Sequence, residues 1–285
     1  MYVRPSTLSE AVNILATSGG RILAGGTDFF PAQGERPVTG SVVDISALRE
    51  LRGIDRDADY FRIGGLTTWT DVVRASLPRC FDALKAAARE IGGIQIQNRG
   101  TVAGNLCNAS PAADSVPPLL ALNAEVEVTS RNGARRVSLA DFIVSNRKTL
   151  LQPDEILSHV LVPRTIENAN STFLKLGARR YLVISIAMVA VEIDTNSAGR
   201  VADARVSVGS CSVVARRLRE LEGRLLGEAA ATGIGGLVNA AHLAELAPIT
   251  DVRATATYRQ DAALQLVQRA LEMCVRSDST ANLKH

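Results

Sequence analysis

The segment from residue 97 to residue 114 decides how this chain is interpreted, and it reads QNRGTVAGNLCNASPAAD. It is too polar and too rich in small residues to extend the apolar helix predicted over 81–91. A second stretch, residues 22–29, reads ILAGGTDF and leaves a predicted strand with two glycines, a hydroxyl and a carboxylate. Small residues allow close backbone approach, and consecutive glycines let backbone N–H groups form an anion-binding nest.

These two glycine-containing loops together suggest a nucleotide site. Neither has the spacing of the dinucleotide fingerprint G-x-G-x-x-G or of the phosphate-binding loop G-x-x-x-x-G-K-[ST]. Either loop alone is more often a plain turn, but two in one domain can hold one pyrophosphate from both sides. From the residues alone, nucleotide binding and plain turns both stay open.

The composition is that of a full-sized globular protein. At roughly 150 residues per domain, 285 residues correspond to about two domains. The 32 basic and 29 acidic residues are scattered, which leaves no nucleic-acid footprint.

The longest apolar run, 183–191, is interrupted by Ser185 and is shorter than the about 20 residues of a membrane span. No apolar signal segment follows Met1, so a cytoplasmic protein is predicted.

The cysteines and histidines give no ligand pattern for a metal ion. The closest two cysteines, Cys80 and Cys107, are 27 positions apart, and Cys211, Cys274, His159, His242 and His285 are equally isolated. Zinc sites and iron–sulfur clusters need ligands at short spacing. No metal site is therefore predicted, and an organic cofactor must carry any redox chemistry.

The first part of the chain reads as short β/α units, with a boundary predicted near Pro163. A capping box at 7–10 opens a helix that ends at Gly19, and Thr70 is predicted to cap a short helix over 70–75. A long irregular segment is predicted from Gly92, and an apolar helical stretch resumes over 119–122. Strands are predicted over 21–24, 41–45 and 61–66, and a hairpin over 125–139 turning at 132–133.

The remainder is predicted to be a smaller α+β domain. Period-two patterns predict strands over 172–176, 187–193 and 205–208, which form an antiparallel sheet. Helical spacing predicts helices over 213–226, 234–244 and 258–273, packed on one face of that sheet.

Residues 22–29 and 97–114 strongly resemble the two flavin-binding motifs of the FAD subunit of molybdenum hydroxylases, the xanthine dehydrogenase and carbon monoxide dehydrogenase family. Further family landmarks follow in order over nearly the whole chain, at 119–126, 154–157, 162–163, 173–175 and 179–180. The resemblance implies an α+β protein: a two-subdomain FAD-binding fold of the vanillyl-alcohol-oxidase (PCMH-type) kind over 1–165, divided near 56–57. A C-terminal flavoprotein α+β domain is implied over 166–285.

The resemblance also implies which residues meet FAD. The backbone of Ala24–Asp28 and of Thr101–Asn105 would hold the pyrophosphate, and Asp114 would accept a ribose hydroxyl. The same Asp114 also suits a plain helix N-cap. No catalytic residue is implied. The full set of implied cofactor-binding residues is Ile22, Leu23, Ala24, Gly25, Gly26, Thr27, Asp28, Phe29, Thr101, Ala103, Gly104, Asn105, Asn108, Ser110, Asp114, Leu157, Lys175 and Ile184.

Three of these residues, Leu157, Lys175 and Ile184, fall where relatives meet the isoalloxazine ring. Lys175 would favour an anionic reduced flavin through its charge, or is simply a solvated strand lysine. Asn108 and Ser110 would hold ribityl or phosphate oxygens or order their own loop. Arg179 and Arg180 are expected to be structural.

Two positions depart from the family pattern. Ala103 stands where relatives usually have glycine, so its backbone must avoid positive φ or be strained. Val183 stands where relatives often have an acidic residue, which puts an acid-assisted hydrogen bond near the ring in doubt.

The function implied is that of the electron-exit subunit of a heterotrimeric molybdenum hydroxylase. Partner subunits would hold the molybdenum cofactor and two [2Fe–2S] clusters, in a dimer of heterotrimers. FAD would pass electrons to NAD, oxygen or a quinone while a purine, another N-heteroaromatic or an aldehyde-type substrate is hydroxylated. The widely spaced cysteines argue against an additional [4Fe–4S] cluster in this subunit.

Two alternatives remain beside this reading. One is a stand-alone FAD-dependent oxidoreductase with its own small substrate, for which Cys107 is the one candidate reactive group. The other is a scaffold domain that has kept the fold and lost the flavin, for which Ala103 is the one supporting residue.

Overall fold

The computed structural model describes residues 1–279, and contacts between Cα atoms divide the chain into two compact units. The first unit comprises residues 1–75, 92–110 and 124–163, and the second comprises 76–91, 111–123 and the described residues from 164 onwards. Two short segments that precede the predicted boundary thus belong to the second unit.

Fourteen strands are formed within residues 1–279: β1 Tyr2–Val3, β2 Arg21–Leu23, β3 Val42–Asp44, β4 Ile54–Arg56, β5 Tyr60–Gly64, β6 Glu125–Ser130, β7 Gly133–Ser138, β8 Ile143–Ser145, β9 Lys148–Thr149, β10 Ile156–Pro163, β11 Asn170–Leu176, β12 Ala187–Thr195, β13 Val201–Gly209 and β14 Arg216–Arg217. The α-helices of the same residues are α1 Leu8–Ser18, α2 Phe29–Gln33, α3 Trp69–Arg74, α4 Asp82–Glu90, α5 Ile94–Gln97, α6 Val102–Asn108, α7 Val116–Ala121, α8 Leu139–Phe142, α9 Arg219–Leu225 and α10 Ala256–Ser279.

The first unit begins with a small parallel sheet in the order β1-β3-β2, against which α1 packs. The Thr7 hydroxyl accepts the Glu10 N–H and caps α1, and Gly19 ends the helix at a φ of +62°. Only half of the predicted capping box forms, because the Glu10 carboxylate accepts from the Ser6 N–H instead of the Thr7 N–H. Such a cap satisfies N–H groups that have no partner inside the helix.

The same unit contains a five-stranded antiparallel sheet in the order β4-β5-β10-β6-β7. The predicted hairpin is present as β6 and β7, which pair from Glu125 with Ser138 to Ser130 with Gly133. The prediction that Thr70 caps the next helix is wrong. Thr68 is the cap of α3, because its hydroxyl and the Asp71 carboxylate form a complete capping box.

The predicted irregular segment after Gly92 is also wrong in part, because it contains two short helices, α5 and α6, whereas the apolar helical stretch predicted over 119–122 is present as α7. Helices α5 and α6 have at most seven residues each, too few for a periodic apolar pattern to stand out. Thr101 caps α6, and two prolines stand in the first turn of α7, where a missing N–H is tolerated.

The second unit is built on the antiparallel sheet β11-β12-β13-β14. Alternate residues of β12 point to opposite faces: Ala187, Val189, Val191 and Ile193 pack with α10, whereas Met188 and Ala190 pack with α4 and α7. The prediction of helices on one face is therefore wrong, because α4 and α7, which precede this sheet in the chain, cover its second face.

Two of the three helices predicted here are shorter than expected. In the segment 213–226, Arg216 and Arg217 pair with β13 as a short strand, and only α9 is helical. The segment 234–244 forms two 3-10 turns. Gly235 approaches the Gln268 carbonyl of α10 so closely that a β-carbon there would lie 2.5 Å from the oxygen.

Candidate flavin-binding residues

The first glycine loop connects β2 to α2 and presents a row of free backbone donors. Within residues 1–279, the N–H groups of Ala24, Gly25, Gly26, Thr27 and Asp28 have no protein acceptor. Gly26 has a φ of +79°, and a β-carbon there would lie 2.8 Å from the Phe30 ring. Successive unpaired N–H groups beside a left-handed residue form an anion-binding nest.

The second loop lies directly against the first. A β-carbon on Gly25 would be only 1.9 Å from the Arg99 carbonyl oxygen, so this contact requires glycine. A β-carbon on Gly100 would be 3.5 Å from the Thr27 hydroxyl. The structure thus brings together the two motifs that the sequence separates by about 70 residues.

The backbone of the second motif is used differently from that of the first. The N–H groups of Val102 and Ala103 donate to the carbonyls of Thr67 and Gly65, at 3.0 and 3.1 Å. The Gly104 N–H donates to the Thr101 hydroxyl at 3.1 Å. Because these donors already have protein acceptors, the unengaged backbone donors are concentrated in residues 24–28.

Ala103 is accommodated without backbone strain. It lies inside α6, it is absent from the positive-φ residues, and it is buried. Its methyl group faces Gly65, where a β-carbon would be 3.1 Å away and would also approach the Leu157 carbonyl to 2.4 Å. The space for Ala103 is therefore provided by a glycine on the neighbouring chain segment.

The residues after α6 order their own loop. The Asn108 side chain accepts a hydrogen bond from Arg147, and the Arg147 N–H donates to the Ala109 carbonyl at 3.0 Å. Ala109 ends α6 in the left-handed conformation, with a φ of +47°. Ser110 follows and is half-buried.

In the second unit, Asp114 and Lys175 form a buried ion pair. The Lys175 Nζ lies 2.6 Å from the Asp114 Oδ2, and the side chains are 7% and 8% exposed. The Ser185 hydroxyl donates to the Asp114 Oδ1 at 2.5 Å. An ionised carboxylate has about four lone-pair positions, so each oxygen retains capacity for a further donor.

Two opposing effects act on the pKa of Asp114. Burial raises it above the ordinary value, and the Lys175 ammonium and the Ser185 hydroxyl act to lower it. A lysine in this position is not a solvated strand residue, because β11 carries it into the interior of the second unit. Ser185 was not identified from the sequence, where it shows only as a break in an apolar run.

Ile184 is exposed in the loop between β11 and β12, with 51% of its surface accessible. The Arg179 guanidinium donates to the Leu182 carbonyl of the same loop, and the Arg180 guanidinium lies 5.2 Å from the centre of the Tyr181 ring. The Val183 side chain lies against Gly177, because a β-carbon added at Gly177 would be 2.3 Å from the Cγ1 of Val183.

Within residues 1–279, no group of three His, Cys, Asp or Glu side chains is arranged to hold a metal ion. His285 lies outside these residues. Burial raises the pKa of the Cys107 thiol to about 12, which disfavours the reactive thiolate. No helix among the described residues has the length and apolar character to cross a membrane.

Two family models match the chain. Residues 1–165 match the model described as FAD binding domain in molybdopterin dehydrogenase, and residues 172–274 match the CO dehydrogenase flavoprotein C-terminal domain. The chain belongs to the FAD-binding medium subunits of molybdenum hydroxylases. It is therefore an oxidoreductase subunit, and the predicted family, two-part FAD-binding fold and FAD cofactor are confirmed.

Similar proteins match this flavoprotein subunit over about two thirds to nearly all of its length. The nicotine 6-hydroxylase medium subunit of Paenarthrobacter nicotinovorans is 30% identical, and the match covers 95% of each chain. The xanthine dehydrogenase FAD-binding subunit of Escherichia coli O157:H7 is 38% identical over 65% of each chain. A solved carbon monoxide dehydrogenase from Hydrogenophaga pseudoflava superimposes with a TM-score of 0.87 at 28% identity, covering 96% of both chains.

The residues of this flavoprotein subunit fit FAD on structural grounds. The nest at 24–28 offers unpaired N–H groups of the kind that bind a pyrophosphate. The carboxylate of Asp114 is already oriented by two donors and has free lone pairs. Taken separately, the nest matches an anionic group of FAD and the Asp114 carboxylate matches a hydroxyl-bearing group.

Proposed function

We propose that this subunit transfers electrons from [2Fe–2S] clusters of a partner subunit, through its FAD, to an electron acceptor. Bound FAD would supply the conversion of single-electron transfers into a two-electron reduction. The observation that carries the FAD part of the proposal is the row of five unengaged N–H groups at 24–28. The relatives named as medium subunits of dehydrogenases and hydroxylases support the partnership.

In this proposal, residues 22–29 bind the pyrophosphate of FAD. Gly25 and Gly26 keep the loop open to the phosphates, because a side chain at either position would meet Arg99 or Phe30. Thr101 caps α6, and Ala103, Gly104 and Asn105 lie in its first turn, directly after the Arg99–Gly100 segment that contacts the loop. We propose that they support that segment and add the polar side chain of Asn105.

The group formed by Asp114, Lys175 and Ser185 would bind the ribose. Lys175 and Ser185 fix the two carboxylate oxygens of Asp114, so the remaining lone pairs point in defined directions. A carboxylate held in this way accepts sugar hydroxyls without reorganising. Asn108, Ser110, Leu157 and Ile184 remain proposed contacts to the ribityl chain and the ring.

The substrate class we propose for the assembled enzyme is an N-heteroaromatic compound. Two of the similar subunits carry the names of nicotine and xanthine enzymes, and both substrates are nitrogen heterocycles. Hydroxylation would occur at the molybdenum cofactor of a large partner subunit, in a dimer of heterotrimers. NAD, oxygen and a quinone are the proposed acceptors.

We also propose that the family boundary applies to this chain, with the FAD-binding part over 1–165 and the C-terminal part over 166–285. The ranges of the two matching models support it. The inclusion of 76–91 and 111–123 in the second compact unit shows that a boundary in sequence need not coincide with a boundary of packing.

The experiment that tests the function is purification of the affinity-tagged chain from its native cell, followed by quantification of FAD, molybdenum and iron. We expect about one FAD and one molybdenum atom per chain, about four iron atoms per chain, and reduction of the flavin absorbance by xanthine or nicotine. Separate reoxidation by NAD, oxygen and a quinone would identify the acceptor.

The opposite outcome would be a yellow protein that purifies without molybdenum or iron. A flavoprotein of that kind would act on a substrate of its own, and the electron-exit proposal would be abandoned. A colourless chain from FAD-replete cells would instead contradict flavin binding itself.

A further inference from the structure

Arg259 is a buried cation to which the proposed function assigns no role. It lies in the first turn of α10, and its side chain is 4% exposed. Its Nη2 atom is 2.7 Å from the Asp251 Oδ1, and Asp251 is held by the N–H groups of Arg253 and Ala254. These backbone bonds and the Arg259 guanidinium lower the pKa of Asp251, so Asp251 is the counter-ion of the buried cation.

The second terminal nitrogen of Arg259 donates hydrogen bonds to two backbone carbonyls. Nη1 donates to the Ile186 carbonyl at 2.5 Å and to the Ser210 carbonyl at 3.2 Å. A planar guanidinium can reach several acceptors in fixed directions, which a lysine ammonium on a flexible stem does less well. Arg259 therefore joins two segments that are far apart in the sequence.

Both of these segments are connected to Asp114 by short hydrogen-bonded paths. The first connection runs through Ile186. Ile186 follows Ser185, whose hydroxyl donates to Asp114, and the Ile186 N–H donates at 2.7 Å to the carbonyl of Leu176. Leu176 is the neighbour of Lys175, the second partner of Asp114. The Ile186 peptide is thus fixed between the strand that carries Lys175 and the Arg259 guanidinium.

The other segment holds the chain just before Asp114. The Ser210 N–H donates to the Pro111 carbonyl at 3.2 Å, three residues before Asp114. Ser210 has a φ of +60°, a conformation that a residue with a side chain keeps only where its surroundings impose it. The bonds to Pro111 and from Arg259 impose it here.

We infer that Arg259, with Asp251 as its counter-ion, is a positioning residue for the carboxylate of Asp114. It acts on FAD only through Asp114 and its partners, since it fixes Ser185 on one side and the 111–114 segment on the other. This inference rests on the proposed ribose role of Asp114. A purely structural Arg259 would anchor the start of α10 and influence FAD only through general stability.

A double-mutant cycle on the full-length chain separates these two roles. The single variants Arg259→Gln and Asp114→Asn and the double variant are freed of flavin, and FAD affinity is measured by titration of flavin fluorescence. We expect each single variant to weaken FAD binding about tenfold, and Arg259→Gln to add less than about threefold in the Asp114→Asn background. Arg269→Gln, an exposed position on the same helix, is the matched control and should leave affinity unchanged.

Conservative variants keep the test usable if Arg259→Gln does not fold. Arg259→Lys retains the charge beside Asp251 but lacks the planar fork that gathers the two carbonyls. We expect Arg259→Lys to bind FAD as weakly as Arg259→Gln. Asp251→Asn leaves the guanidinium fork of Arg259 intact, so its FAD affinity should fall by no more than about threefold relative to the unmodified chain. Full rescue of affinity by Arg259→Lys would overturn the positioning role.

The remaining outcomes distinguish the inference from the function on which it rests. Equal losses from Arg259→Gln in both backgrounds would show that Arg259 does not act through Asp114, and the inference would fail alone. Unchanged affinity in Asp114→Asn would remove the ribose role of Asp114 and, with it, this inference. Electron transfer from partner subunits would not be affected by that result.

Discussion

The ammonium nitrogen of Lys175 lies 2.6 Å from the Oδ2 of Asp114, with both side chains removed from solvent. The two residues are 61 positions apart in the sequence, and strand β11 and the segment before α7 bring them together. Because the pair carries no net charge when both groups are ionised, Lys175 acts on its surroundings as one end of a dipole. Lys175 therefore stabilises a nearby negative charge less than an isolated lysine would.

Removal of one member of this pair should destabilise the second unit strongly. Lys175→Met leaves the buried Asp114 carboxylate without its cation, and losing one partner of a buried pair costs about 3–5 kcal/mol. We expect a loss of that size in the free energy of unfolding of the flavin-free chain, measured by urea denaturation.

The double variant Lys175→Met with Asp114→Asn provides the control for this prediction. It removes both charges, so most of the lost stability should return while FAD affinity stays low. If the double variant is as unstable as Lys175→Met alone, the unpaired charge is not the cause of the instability.

The contact between the two glycine loops makes Gly25 sensitive to the smallest substitution. Gly25→Ala would place a methyl group 1.9 Å from the Arg99 carbonyl oxygen, and backbone cannot yield as a side chain does. The loops must separate, so we expect FAD affinity to fall at least about tenfold because the nest loses its shape. Equilibrium dialysis with FAD measures the change.

Gly223→Ala is the matched substitution for Gly25→Ala. Gly223 lies within α9, where nothing is within 4 Å of a β-carbon, and alanine there should raise stability by about 0.5–1 kcal/mol. Flavin affinity should not change. Normal FAD binding by Gly25→Ala would mean that the two loops need not touch for the cofactor to be held.

Elements with a strong local signal were predictable from the sequence. Three such elements are present: the hairpin predicted over 125–139, the cap at Thr7 and the long helix α10. Each depends on neighbouring residues. Elements decided by distant partners were not predictable. Arg216 and Arg217, which were predicted to be helical, instead form strand β14 along the edge of β13.

The candidate site shows the same division. The motifs at 22–29 and 97–114 could be identified by their small residues, and the structure places them in contact. Ser185 and Arg259 could not, since each acts through a backbone or carboxylate group that only the folded chain brings near. The sequence also could not predict which backbone N–H groups lack a protein acceptor. The N–H groups at the start of α6 donate to the carbonyls of Gly65 and Thr67, which only the folded chain brings near.

Ala103, the departure from the family pattern, should prove neutral for the cofactor. Because it is helical and buried without positive φ, Ala103→Gly removes a packed methyl group and adds chain flexibility, which costs about 0.5–1 kcal/mol. We expect thermal unfolding at a lower temperature and unchanged FAD affinity. A clear gain in affinity with glycine would show that the methyl group obstructs the cofactor.

Glu192 on β12 is buried at 1% exposure, and within residues 1–279 neither carboxylate oxygen has a hydrogen-bond partner. Burial raises its pKa well above the ordinary value of 4.5, and Arg205 and Arg217 oppose this increase while Asp203 reinforces it. The folded chain thus binds a proton that the unfolded chain releases. Folding stability from this group is complete below about pH 4.5 and falls as pH rises, by about 1.4 kcal/mol per unit until the folded pKa is reached.

Glu192→Gln should therefore stabilise the protein increasingly as pH rises from 4.5 towards neutrality, because the amide has no proton to lose. Urea denaturation of the flavin-free chain at several pH values measures the difference from the unmodified chain. Glu245→Gln, at an exposed position, should give a small difference at every pH. A difference for Glu192→Gln that stays constant between pH 4.5 and 7 would show that Glu192 is ionised in the folded chain, with Arg205 and Arg217 compensating for its burial.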